Sequence, residues 1–134
     1  KEVIDRAQFS GPGKALGKER WAGAIENVGS HPLANVCATL KRGAAAASCG
    51  NAQGIDFPGS VAPFILRGVT LIGIDSDLCP MPKRLIAWDR IAHTVDKKMI
   101  SEITQSRPLS EAMSTAEEVI AGRIRGRVVI DIDG

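Results

Sequence analysis

Tyrosine is absent from this chain, and its only aromatic residues are Phe9, Trp21, Phe57, Phe64 and Trp88. So few flat rings make a poor platform for stacking nucleic-acid bases. Charge points the same way: 17 basic against 15 acidic residues leave a net +2, too little to make nucleic acid or an anionic membrane the main partner. Cysteine is scarce and odd in number. Cys37, Cys49 and Cys79 form no CxxC pair, which excludes a disulfide framework or zinc knuckle and fits thiols of a cytoplasmic protein. His31 and His93 are far apart and neither sits in a ligand motif, so no metal site is expected. No apolar run approaches the roughly 18 residues of a membrane span, and no signal peptide opens the chain. Two phosphate motifs are also missing: there is no G-x-G-x-x-G and no GK[ST].

What is present suits one α/β domain. The 134 residues are 44% hydrophobic and 24% charged, ordinary for a globular protein with a real core. KEVID reads as a strand that starts without a methionine, as a fragment would. The glycine-rich stretch 6–20 reads as loop with a helical turn. WAGAIENVG (21–29) is a buried strand emptying into a turn. HPLANVCATLKRG (31–43) is a helix with Pro32 at its start, Leu33, Val36, Cys37 and Leu40 on one side, and Gly43 as its stop.

The run AAAASC (44–49) alone favours helix. Its place between a helix stop and a glycine loop makes it a strand, with small side chains that let a helix pack close. Residues 61–68 then predict a short helix and VTLIGID (69–75) a strand. An amphipathic helix follows within 80–98, with Leu85, Trp88, Ile91, Ala92 and Val95 on the core face and Lys83, Arg84, Asp89 and Arg90 opposite. Residues 100–109 read as extended and broken by Pro108, 110–122 as a helix stopped by Gly122, and RGRVVIDI (125–132) as a strand. This alternation predicts a mainly parallel sheet, whose ligands sit beyond the carboxyl ends of the strands. Three loops lie there: ENVGS (26–30), SCGNAQG (48–54) and GIDS (73–76).

The competing candidates are weaker. Cys49 has no evident base nearby and reads as a small buried thiol. Asp75 and Asp77 lack a third ligand for a metal. Arg123, Arg125 and Arg127 could grip phosphate, although alternating arginines beside a strand more often form a solvated face. No Ser/His/Asp constellation stands out.

WAGAIENVG, LANVCATLKRGAAAASCGNAQG, APFILRGVTLIGIDS and the terminal AGRIRGRVVIDI together resemble the C-terminal part of the medium-chain dehydrogenase/reductase superfamily. The similarity is greatest to its zinc-independent, quinone-oxidoreductase-like branch, which includes acryloyl-CoA reductases. PFILRGVTLIGIDS is the most specific element, and the match spans essentially the whole chain.

The resemblance implies the second half of a Rossmann-type parallel sheet with flanking helices (1–98). A helix-strand segment (99–134) would then return to a GroES-like catalytic domain. The N-terminal half and the glycine-rich pyrophosphate turn are not in this chain. It implies NADPH as cofactor, held by Val28, Gly29, Gly50, Asn51, Ile65, Ser76, Gly122 and Arg127. Where some relatives carry amide side chains, this sequence has Gly122 and Arg123. The implied reaction is reduction of an activated C=C bond, acryloyl-CoA to propionyl-CoA, or of a quinone-like acceptor, with no catalytic residue assigned here and no activity expected of the chain alone. The 69–75 edge strand would pair with a second copy to form a homodimer. Two alternatives stand beside this reading: a non-catalytic α/β binding or oligomerisation module, and a zinc alcohol dehydrogenase whose metal-binding part lies outside the chain.

Overall fold

The computed structural model describes residues 2–133, which form two compact units meeting in sequence between Cys79 and Pro80. In the first unit, strands β1 (Ala24–Glu26), β2 (Ala45–Ser48) and β3 (Thr70–Gly73) form a parallel sheet in that order. Helix α1 (Ser30–Thr39) crosses from β1 to β2, and α2 (Ala62–Arg67) precedes β3.

The alanine run is strand because β2 is central. It pairs on both sides, with Ala24, Ala46 and Leu71 in one register and Ile25, Ala47 and Ile72 in the next. Two ladders of backbone hydrogen bonds outweigh the helix preference of alanine, which is only a few tenths of a kcal/mol per residue. Leu33, Cys37 and Leu40 of the α1 stripe meet Ala44, Ala46 and Val69 in the core, with Trp21, Val36 and Phe64 at its edge. Because side chains alternate along a strand, the Ala24–Ala46–Leu71 row faces this core while the Ile25–Ala47–Ile72 row faces away. Ile25 is 81% exposed and Ile72 45%, so that second face is uncovered.

Helix α1 starts two residues before Pro32. Gly29 caps it at φ 73°, and Pro32 falls in the first turn, where its missing N–H costs nothing. Its end also precedes Gly43: Leu40 is already extended and bridges Trp21. Helix α2 ends at Gly68 in the left-handed region (φ 60°), whose N–H donates to the Phe64 carbonyl at 3.1 Å.

The second unit holds α3 (Met81–Thr94), α4 (Lys97–Ile103), β4 (Thr104–Pro108), α5 (Ala112–Ile120) and β5 (Arg127–Asp131). Strands β4 and β5 pair in parallel around α5. Buried Thr115 of α5 accepts from Arg107 Nη1 at 3.2 Å, and Arg107 also meets Glu118 at 3.0 Å. The fold class is therefore α/β with parallel sheets, as the alternation indicates.

Three local expectations fail. Glu2–Asp5 are not strand: Val3 is fully exposed, and the first regular element is a short 3-10 turn at Arg6–Gln8 (Lys1 lies outside the described residues). Residues 100–103 are helical rather than extended, as the end of α4, because Asp96 accepts from the Lys98 N–H and so starts a helix there. The apolar face of α3 is not core. Leu85 and Trp88 are each 60% exposed and Ile91 43%, since no element of its own unit covers that face.

Candidate functional site

The loop after β1 and the loop after β2 are knitted together at the carboxyl end of the sheet. The Ala52 and Gln53 amides donate to the Asn27 and Val28 carbonyls at 3.2 and 2.8 Å, and Gly29 bridges Gly54 in parallel. Behind them the Cys49 amide donates to the Glu26 carbonyl at 2.9 Å. The contact leaves no room for side chains. A Cβ on Gly50 would stand 2.6 Å from the Asn27 carbonyl oxygen, and one on Gly29 would strike the Gly54 carbonyl. Gly29 additionally needs its positive φ.

Glu26 governs this junction. It is 5% exposed, and its Oε1 accepts from the Val28 and Gly29 amides at 2.6 and 3.1 Å, while Oε2 lies 3.1 Å from the Gly29 nitrogen. Sequence patterning missed this residue, because an acidic side chain ending a short apolar strand reads as solvent-facing. The pair Glu-x-Val-Gly, an acceptor two and three residues before two amides, was the available signal.

An open cleft of about 540 Å³ lies on this edge, lined by Ser48, Cys49, Gly50, Asn51, Gly73, Ile74 and Asp75. It gathers the ends of β2 and β3, and the Ile74 amide donates to the Ser48 carbonyl at 2.8 Å. Of the expected site residues, Gly50 and Asn51 line this cleft, and Val28 and Gly29 lie in the loop joined to theirs. Ser76 follows the Gly73–Asp75 wall in sequence, and Ile65 is an exposed residue of α2. Gly122 (φ 66°) and Arg127 belong to the second unit, at the end of α5 and the start of β5. Arg123, Arg125 and Arg127 are all exposed.

Cys49 is exposed and not the buried thiol expected: it sits on the loop, past the last covered residue of β2, and its Sγ donates to Asn27 Oδ1 at 2.8 Å. The buried thiol is Cys37, pushed up to about 11 by burial and by the charge of Glu26. The Asp75 carboxylate accepts from the amides of Asp77 and Leu78, a local turn. Among the described residues no three His, Cys, Asp or Glu side chains gather to hold a metal, and no helix is long and apolar enough to cross a membrane.

No family model matches the chain. An acrylyl-CoA reductase of Ruegeria pomeroyi is 38% identical over 120 residues, covering 90% of this chain and 36% of that protein. An oxidoreductase of Salmonella enterica, solved in complex with NADP, superposes with a TM-score of 0.93 at 35% identity over 97% of this chain and 40% of its own. The chain belongs to the medium-chain dehydrogenase/reductase superfamily. A Bacillus subtilis protein solved with NAD bound is similar as well, with a TM-score of 0.88 at 35% identity, over 97% of this chain and 40% of its own. This chain spans about two fifths of the length of the curated relatives it matches. Its three-stranded parallel sheet is thus part of a medium-chain dehydrogenase/reductase fold.

Proposed function

We propose that this chain is the cofactor-facing part of an NADPH-dependent oxidoreductase that reduces an activated C=C bond. The observation that carries the reading is the meeting of two glycine loops, at Gly29 and Gly50, beside an open cleft at the carboxyl end of a parallel sheet. Similarity to an acrylyl-CoA reductase supports the substrate, and the relatives solved with NADP and with NAD support a nicotinamide cofactor.

The residues fit the uncharged end of such a cofactor. The backbone of Gly50 lines the cleft, and Asn51, which is exposed there, offers an amide side chain. No lysine or arginine lines the cleft, and the Val28 and Gly29 amides are already taken by Glu26. This end of the sheet therefore suits a nicotinamide and its ribose, not a pyrophosphate. When bound, the cofactor supplies the hydride. The chain's own share is to hold the ring in one orientation and to shut water from its face, through Val28, Gly29, Gly50, Asn51, Ile65 and Ser76.

Within that enzyme, residues 1–98 belong to the NADP-binding domain and 99–134 to the segment that returns to the catalytic domain. Groups that polarise the substrate carbonyl are contributed from elsewhere, so the chain alone is inactive. Strand β3 ends the sheet with Ile72 and Ile74 exposed, and pairs with a second copy.

The test is acceptor-dependent NADPH oxidation by the longest encoded protein that contains this sequence, with acryloyl-CoA beside a simple quinone and NADH as control. Turnover of acryloyl-CoA with NADPH supports the reading. Activity with quinones alone moves the substrate, and none with either leaves a non-catalytic module.

A further inference from the structure

A buried carboxylate needs compensation, and Glu26 finds it in the backbone of the loop joined to the one that lines the cleft. Its side chain holds Val28 and Gly29, while its carbonyl accepts from the Cys49 amide that opens the Gly50 loop. One residue thus ties both glycine loops to the end of β1. Gly29 is also the cap of α1, so the carboxylate holds the two residues that lead into the helix.

We propose that Glu26 is a positioning residue for the cofactor: it fixes the Val28–Gly29 backbone that the nicotinamide end meets. The inference rests on the reductase reading above. Glutamine at 26 retains one acceptor but turns an NH₂ toward an amide N–H, so it loosens the loop without removing bulk. Aspartate retains the charge one methylene short.

Glu26→Gln and Glu26→Asp are compared with wild type in two settings. In the longest encoded protein containing this sequence, KM for NADPH and kcat are measured with acryloyl-CoA as acceptor. In the 134-residue chain, hydrogen exchange is followed at the Val28 and Gly29 amides. Loss of a charge-assisted bond predicts that Gln raises the NADPH KM roughly tenfold and speeds both amides by a similar factor. At saturating NADPH, kcat stays within about twofold, since the bond is uniform between ground and transition states. Asp recovers part of both effects. A Gln variant that loses melting temperature and kcat while its NADPH KM stays put makes Glu26 a structural cap only and overturns the inference. So does unchanged amide exchange in that variant, which leaves the reductase reading standing. A wild-type protein that never oxidises NADPH overturns the reductase reading itself, and with it the cofactor role given to Glu26.

Discussion

Arg67 meets Glu19 at 3.3 Å, and the same guanidinium donates to the carbonyls of Ala38 and Leu40 at 3.1 and 3.2 Å and to that of Gly17. It closes the C-terminal end of α1, whose last carbonyls have no partner within the helix. Arg67→Ala takes this donor from the Leu40 and Gly17 carbonyls in a largely covered place, while Ala38 keeps the Gly17 N–H at 2.9 Å, and is expected to cost about 3 kcal/mol. Arg67→Lys recovers little, because an ammonium cannot span three acceptors with a planar fork. Urea unfolding of the three proteins checks both statements, and a lysine variant as stable as wild type would refute the second.

Cys37 gives the chain an alkaline weakness. Its thiol is raised from 9.0 to about 11, first by burial and then by Glu26. The folded state therefore holds this proton more tightly than the unfolded state. The stabilisation is complete below about pH 9 and is lost as pH rises through about 11, amounting at most to about 3 kcal/mol. Cys37→Ala should flatten the decline between pH 9 and 11 relative to wild type, as read from denaturant midpoints at each pH. Parallel slopes would assign the decline to other groups.

Thiol chemistry should be sharply uneven. Cys49 is exposed beside the cleft and Cys37 is 1% exposed. Iodoacetamide followed by peptide mass spectrometry should find Cys49 modified early and Cys37 only after unfolding. Early modification of Cys37 would mean that α1 opens readily.

Two glycines separate crowding from strain. Gly50 needs space, with the Asn27 oxygen 2.6 Å from its virtual Cβ, whereas Gly43 has nothing within 4 Å but a φ of 72°. Gly50→Ala is expected to displace the loop and weaken NADPH binding at least roughly tenfold. Gly43→Ala should cost about 1 kcal/mol of stability and leave binding alone. Fluorescence titration of NADPH with the longest encoded protein, together with its melting temperature, distinguishes the two.

The uncovered row of Ile25 and Ile72 predicts self-association of the isolated chain. Replacing both with threonine keeps strand propensity and should shift sedimentation toward the monomer. An unchanged profile would direct attention to the β3 edge instead.

Much of this was legible in the sequence where local signals agreed with burial. Strand β2 was readable only because its alanines stand between Gly43 and the Gly50 loop, and α1 because Leu33, Cys37 and Leu40 recur at helical spacing. Periodicity also marked α3 well, yet it speaks of amphipathicity and not of a partner, so Trp88 looked like core and is exposed. Helix α4 escaped notice because its start depends on one Asp96 side chain bond. The glycine loops were found from their place after strands. Their mutual contact was not, since it depends on the register that brings Gly29 opposite Gly54.

Ala46 has no exposed surface and never reaches the cleft, but its methyl group sets how closely α1 lies on the sheet. A bulkier residue would lift the helix, and with it the Gly29 cap, out of step with the Gly50 loop. In a mutational screen scored on turnover, this core alanine would therefore rank among the residues of the cleft, and a catalogue of sensitive positions would mark it as chemistry when it is a spacer.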